Sequence, residues 1–153
     1  MGIDKDIHST NFRNKYHKAV VNIIFTNNWI MERHKEIFDR GDITPQQYNI
    51  LRILRGAKQP LSTLQIRQRM LDKMSDTSRI VDRLLKKGLV SKVVREADKR
   101  LVDVSITETG LDLLTQLDGY NDEIDKILSN ISEHEVEQLN LLLDKIRKTG
   151  SSE

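Results

Sequence analysis

The sequence predicts a mainly α-helical protein with one small β-hairpin, and two features support that prediction. Apolar residues recur at three- and four-residue steps over most of the 153 positions, which is typical of amphipathic helices. The spacing changes to every second residue only between Leu89 and Ile106, where β-branched side chains alternate with polar ones. The length suits a single domain, residues 1–153, with a core of ordinary size.

The first long helix is predicted from Phe12 to Phe38, where apolar side chains follow one stripe. At about 1.5 Å per residue it is on the order of 40 Å long, more than the core of so small a domain requires. We therefore expect part of its apolar surface to pack on another chain. Gly41 and Asp42 end this helix.

Capping boxes mark the starts of the next two helices. Residues 44–47, with Thr first, Pro second and Gln fourth, begin a helix that continues to Ala57. Residues 62–65, with Ser first and Gln fourth, begin another that ends at Met70. Between the two helices, Pro60-Leu61 predicts a short extended link.

A fourth helix is predicted to run to Lys87, with Ser75 or Asp76 as its N-cap and Gly88 as the left-handed residue after its end. Two strands follow, at residues 89–95 and 101–106, joined by a short polar loop.

Helical spacing returns beyond Thr107 and pauses near Gly119. A third capping box at Ser132 begins a last helix that extends to Ile146, and we expect the polar tail from Thr149 to be frayed.

Net charge is distributed unevenly along the chain. Residues 52–105 hold fourteen basic and six acidic side chains, whereas residues 106–153 hold four basic and eleven acidic ones. A basic middle segment of this kind indicates contact with a polyanion.

Several classes of function are excluded by what the sequence lacks. There is no cysteine, so disulfides, thiolate metal sites and thiol-based redox sensing are impossible. The sequence has no glycine-rich phosphate loop and no nucleophile motif, and of its four histidines, His17 and His34 would lie too far apart on one helix to share a metal or a substrate. The sequence therefore predicts no enzyme, no cofactor and no assigned metal ligand. The start resembles neither a signal peptide nor a lipidation signal, and no apolar run is long enough to span a bilayer, so a cytoplasmic protein is expected.

The order of three helices and a hairpin from Thr44 to Ile106 is that of a winged helix-turn-helix, in which the third helix enters the DNA major groove. On that helix, Arg79, Arg83 and Lys86 share one outward stripe. Arg83 and Lys86 are farther from its start and are candidates for phosphate contact. The alternative is a solvated face in which Asp82 pairs with Lys86.

Side chains near the start of this helix are placed to reach base edges, so Ser75, Asp76 and Arg79 are the candidate sequence readers. Thr77 and Ser78 are better placed for capping, packing or phosphate contact.

The loop of the hairpin also concentrates basic residues, because Arg95, Lys99 and Arg100 lie in or beside it. Long cationic side chains of this kind suit a narrow minor groove. Asp98 is an acid among them, and we expect it to orient Arg100 or Arg95 through an ion pair. The alternative is a tip that is charged only for solubility.

Two stretches together carry a family resemblance. Residues 75–90 and 98–107 resemble the MarR family of winged helix-turn-helix regulators, the second matching its wing pattern D-x-R-x-x-x-V-x-L-T with Ile106 in place of Leu. The resemblance covers about residues 10–148. Asp76 departs from the neutral small residue usual in the family, and because an acid can accept from a cytosine amino group, the operator sequence does not carry over.

The resemblance implies a homodimer that occupies a pseudo-palindromic operator in double-stranded DNA. Residues 10–40 and 107–148 would form the dimerisation helices, and residues 44–106 the DNA-binding lobe. Such proteins are commonly repressors that a small aromatic or anionic ligand releases from DNA.

The candidates for lining a ligand pocket are Phe25, Trp29 and Tyr48, which are also typical of an ordinary core. Two other functions stay open: a winged helix used for protein contacts, and a metal-responsive regulator of the same fold that binds metal through its histidines and nearby acids.

Overall fold

The computed structural model describes residues 2–148, and the tail predicted from Thr149 lies outside them. The chain forms two compact units, the first extending to Tyr120 and the second beginning at Asn121. Along the first unit the elements are α1 (Ile3–Asp6), α2 (Lys15–Asp39), α3 (Pro45–Ala57), β1 (Leu61–Ser62), α4 (Thr63–Arg69), α5 (Thr77–Lys86), β2 (Val90–Val94), β3 (Val102–Ile106) and α6 (Glu108–Asp118).

The long helix α2 confirms the prediction except at its start. Asn14 is the N-cap, and its side chain accepts a hydrogen bond of 2.9 Å from the backbone N–H of His17. Phe12 therefore precedes the helix, because a polar cap two residues later satisfies the first free N–H groups. The two capping boxes predicted for α3 and α4 are both present.

The sheet has one strand more than predicted. The Pro60-Leu61 link continues into β1, which pairs antiparallel with β3, so that Leu61 lies opposite Val104 and the strand order is β1-β3-β2. Both of these side chains are buried, and their burial favours a paired strand over a loose link. The predicted hairpin is confirmed as β2 and β3, with Val94 opposite Val102 next to its loop.

The core of the first unit lies between α3, α5, α6 and the sheet. Its most buried side chains are Ile50, Leu51, Leu54, Leu61, Ile66, Leu84, Val104, Leu114 and Leu117. The turn into α6 is bound to the end of α5, because Thr107 donates its hydroxyl to the carbonyl of Gly88 at 2.7 Å. Gly88 has a φ of +71°, and α6 approaches so closely that a Cβ on Gly110 would lie 2.3 Å from the carbonyl oxygen of Leu89.

The second unit contains α7 (Asn121–Asp125), a 3-10 turn (Lys126–Leu128) and α8 (Glu133–Arg147). Ser132 and Glu135 form the predicted capping box of α8. No side chain of α8, which is described over its whole length, is buried, and Leu141 and Ile146 are largely exposed. None of the helices within residues 2–148 is both long and apolar enough to cross a bilayer.

Candidate nucleic-acid interface

Helix α5 is held with one face in the core and the other in solvent. Thr77, Val81 and Leu84 are buried, whereas Arg83 and Lys86 are exposed on the opposite side. This strong separation follows from the i, i+4 and i+7 spacing of the two sets. The outward basic stripe predicted from the sequence is therefore confirmed as a surface feature.

The stripe is not neutralised along the helix in the way the alternative required. Asp82 pairs with Lys92 on β2, with 3.8 Å between Oδ1 and Nζ, and not with Lys86. Over residues 2–148, neither Arg83 nor Lys86 forms an ion pair, so both remain available to an external anion.

The start of α5 is organised by Asp76. Its Oδ1 accepts the backbone N–H of Arg79 at 3.2 Å, which makes Asp76 the N-cap, and its Oδ2 lies 3.3 Å from the Nε of the same arginine. Ser75 belongs to the preceding turn, where its hydroxyl donates to the carbonyl of Asp72 at 2.7 Å. Of the two residues expected to cap the helix, Asp76 does so.

Thr77 and Ser78 differ in what they can contact. Ser78 is exposed, whereas Thr77 is only 4% exposed, so that packing is the role that its position favours. The buried hydroxyl of Thr77 has no hydrogen-bond partner among the described residues.

The turn between α4 and α5 contributes residues that the sequence analysis did not single out. Asp72 accepts the backbone N–H of Met74 through its side chain at 3.0 Å, and Asn49 on α3 accepts that of Leu71 at the same distance. The Asp72 bond closes the turn itself, and the Asn49 bond holds the turn to α3. Exposed cations occur nearby at Arg67, Arg69 and Lys73. The high count of basic residues between 52 and 105 was the signal that could have identified them.

The hairpin, which we call the wing, orients two of its three arginine and lysine candidates through carboxylates. Asp98 contacts Arg100, with Oδ1 3.1 Å from Nε and Oδ2 3.1 Å from Nη2, as one of the two predicted pairings required. Arg95 instead forms a bidentate pair with Asp103 at 2.9 and 2.8 Å. Lys99 is exposed in the loop.

The partner of Arg95 was missed because it depends on strand register. Val93 lies opposite Asp103, and Arg95, two positions farther along the chain and just past the end of β2, is a diagonal neighbour on the same face. The side-chain hydrogen bond from Arg95 lowers the pKa of Asp103, and the one from Arg100 lowers the pKa of Asp98. Both carboxylates therefore stay ionised at neutral pH, and both pairs stay charged.

The three aromatic residues expected to line a pocket have different neighbours. Tyr48 stacks on Phe38 with ring centroids 4.0 Å apart, and the Arg33 guanidinium lies 3.4 Å from the centroid of Trp29. Phe25 is exposed on α2. The ligand pocket stays a prediction.

The histidines are associated with aromatic and backbone neighbours. His17 Nδ1 accepts the backbone N–H of Arg13 at 3.2 Å, and the ring of His34 lies 5.6 Å from that of Phe38. Burial lowers the pKa of His34. In the part of the chain described, no three His, Asp or Glu side chains are grouped so as to hold a metal ion.

The chain is similar in sequence to known proteins. A profile described as the MarR family matches residues 41–101. The HTH-type transcriptional regulator MhqR of Bacillus subtilis (strain 168) is 30% identical over 115 residues, which span 74% of this chain and 77% of that protein. The HTH-type transcriptional regulator PecS of Dickeya dadantii (strain 3937) is 28% identical over 116 residues, spanning 74% and 70%.

Among solved structures, a mutant of MarR from E. coli complexed with operator DNA has the same fold. The TM-score is 0.82 at 23% identity, covering 91% of this chain and all of that one. The likeness extends over the helices on both sides of the lobe, which the family profile does not reach.

Proposed function

The chain belongs to the MarR family of winged-helix transcriptional regulators, and from this we propose that it is a homodimeric repressor that binds a pseudo-palindromic operator in double-stranded DNA. Its target would be genomic DNA, and its proposed location is the cytoplasm. A small aromatic or anionic compound would release it.

The observation that carries this proposal is the pair of basic surfaces on one lobe. Helix α5 presents Arg79, Arg83 and Lys86 outward, and the wing presents Lys99 and Arg100 from an adjoining part of the same unit. In winged helices the recognition helix enters the major groove and the wing lies along the neighbouring minor groove. Unpaired cations on α5 suit phosphate contact, while those held by an acid suit an oriented contact.

The proposed dimer is supported by apolar side chains that a single chain leaves in water. They lie on the two long helices, namely Tyr16, Val20, Ile23 and Ile24 on α2 and Leu141, Leu142 and Ile146 on α8. Exposed apolar clusters of this extent mark interaction surfaces. A second copy of the chain would cover them and would also supply the second recognition helix that a palindrome requires.

The proposed ligand site stays with Phe25, Trp29 and Tyr48. The Arg33 guanidinium beside Trp29 supports an anionic aromatic ligand, because it combines a positive charge with a ring that can stack.

The test is selection of genomic fragments by the purified full-length chain at two salt concentrations. We expect enrichment of a two-fold repeat, with half-sites about one helical turn apart, and sedimentation as a dimer. A matched variant with Arg79, Arg83 and Lys86 changed to Ala should lose the enrichment and keep the dimer. If wild type and variant recover the same unrelated fragments, or if the chain sediments as a folded monomer, the proposal is wrong.

A further inference from the structure

The carboxylate of Asp76 contacts Arg79 twice, once through the backbone and once through the side chain. Oδ1 accepts the N–H of Arg79 at 3.2 Å, and Oδ2 lies 3.3 Å from its Nε. The first contact fixes the carboxylate to the helix end. The second then fixes the guanidinium relative to the helix, because both contacts share one rigid group.

The side-chain contact with Asp76 uses only the Nε of Arg79, so the rest of the guanidinium is available to another partner. With Nε engaged, the outer edge of the guanidinium, which carries one N–H from each Nη group, is left for another partner, and the side chain is 80% exposed. Two parallel Nη–H donors match the O6 and N7 acceptors that guanine presents in the major groove. Within residues 2–148 the structure gives Arg79 no other ion pair.

We propose that Asp76 is a positioning residue that prepares Arg79 to read a guanine in each half-site, and that Asp76 does not itself read a base. This inference rests on the proposed operator binding and deepens it. Both oxygens of Asp76 already contact Arg79 in α5, so a cytosine amino group would have to share an oxygen with a donor of that arginine.

An exposed ion pair such as Asp76–Arg79 contributes little to the stability of the fold. Its proposed role is to limit the rotamers of Arg79. Arginine loses much rotamer freedom when it makes a base contact, and a side chain that is already held loses less. Among the described residues, Arg83 on the same helix has no acid partner, which suits a contact with phosphate that tolerates several orientations.

The direction in which DNA affinity changes distinguishes this positioning role from simple charge repulsion. Asp76 carries a negative charge on a surface that faces phosphates. Its removal should therefore strengthen binding to every DNA sequence if charge alone matters. A positioning role predicts the opposite for the preferred sequence.

The experiment uses the full-length chain and a duplex that the wild type selects from a random pool, with an unselected duplex as the non-specific probe. The variant is Asp76→Asn, which keeps an oxygen to cap α5 and loses the acceptor for Nε. We expect the ratio of selected to unselected affinity to fall about three- to tenfold, as when one long side chain must be ordered on binding. Affinity for the unselected duplex should stay equal or rise.

Asp82→Asn is the matched control, because Asp82 is an exposed acid on the same helix that pairs with Lys92 and not with an arginine of the stripe. It removes the same charge and should leave the ratio unchanged. Thermal melting of both variants shows that α5 is still folded. An unaltered ratio for Asp76→Asn, or equal losses in both variants, overturns the inference.

The same pair of substitutions is then made in an Arg79→Ala background. If Asp76 acts through Arg79, Asp76→Asn does not lower the ratio of selected to unselected affinity any further in the Arg79→Ala background. If the loss persists and preference changes at a different base pair, Asp76 reads that base itself and the inference is wrong. A wild-type chain that selects no duplex at all contradicts the proposed function first, and is distinguishable from either result.

Discussion

The winged-helix lobe, residues 44–106, and the exposed parts of α2 and α8 differ in how far their apolar side chains are buried. In the lobe, Leu54 and Leu84 are 2% and 0% exposed, whereas Ile24 on α2 is 57% and Leu141 on α8 is 70% exposed. The lobe therefore finds its packing partners within one chain. Apolar side chains on α8, and on α2 before its buried end at Ile37 and Phe38, stay exposed in the single chain, which supports their proposed association with a second copy.

Net charge also differs between segments of the chain. The segment from residue 52 to 105 is strongly basic, and the segment from residue 106 to 153 is acidic. Basic residues strengthen contact with phosphates, whereas the acidic segment would weaken contact with DNA. The difference supports the proposal that residues 52–105 contact a polyanion and that α8, in the acidic segment, contacts a second copy of the chain.

The largest effect is expected from removing α8 by ending the chain before Ser132. The proposed interface then loses the apolar side chains of that helix, and those of α2 remain in water, so we expect aggregates or unfolded chain. Sedimentation velocity with circular dichroism measures the outcome. A truncated chain that sediments as a well-folded monomer would break the comparison, since the lobe and α2 would then need no partner.

A matched pair of substitutions measures the two kinds of apolar residue. Leu54→Ala should lower the free energy of unfolding by about 2–5 kcal/mol, because it leaves a cavity in the core. Ile24→Ala should lower it by weakening the dimer, so that its unfolding midpoint lies below that of wild type at both protein concentrations and falls on dilution. Denaturant titrations at two protein concentrations test both. If Ile24→Ala behaves like wild type at both, α2 does not contribute the proposed interface.

Substitutions in the wing test whether its basic side chains contact DNA phosphates. Lys99 and Arg100 together, changed to Ala, should weaken operator binding and make the slope of log K against log salt shallower by up to about 3–4 per dimer, at roughly 0.9 per phosphate. The loss should be greater on operators with A·T-rich flanks, where the minor groove is narrow. The control is Lys145→Ala with Lys148→Ala in the helix region, which should leave the slope unchanged.

Asp98→Ala should give a weaker form of the wing defect, because Arg100 remains present but loses the carboxylate that orients it. A salt slope that does not respond to the double substitution, in a protein whose circular dichroism is intact, would leave α5 as the sole supported contact.

The smallest effect concerns a polar group buried in the lobe. Thr77→Val keeps the shape of the side chain and removes a hydroxyl that has no partner within the described residues. We expect the free energy of unfolding to rise by about 1 kcal/mol, with operator affinity unchanged. If stability is the same and affinity falls, Thr77 contacts DNA after a rearrangement, as one of its sequence-based roles required.

Much of the helical framework could be predicted because its signals act over four residues or fewer. Thr44, Ser62 and Ser132 each cap a helix through a side chain and backbone three positions apart, so the capping box is readable without knowledge of the fold. Gly88 ends α5 for an equally local reason, since its positive φ favours glycine. The outward stripe of α5 likewise follows from helical periodicity alone.

Other features depended on residues far apart in the chain. The pairing of Leu61 with Val104 makes a strand out of what read as a link, and Arg55 on α3 forms a bidentate pair with Asp118 on α6 at 2.8 and 3.2 Å. Neither partner is recognisable beforehand, because a carboxylate or a strand edge accepts many partners and only packing decides which one is adjacent.

The candidate DNA surface shows the same division. Its residue types and their spacing are sequence properties, and the stripe on α5 and the cations of the wing were predicted from them. The tertiary structure decided that Asp103 holds Arg95, whereas the Asp76–Arg79 and Asp98–Arg100 pairs join residues only three and two positions apart. Strand register brought Asp103 to Arg95, and the cap of α5 brought Asp76 to Arg79, because a side chain's direction is set by the backbone that carries it.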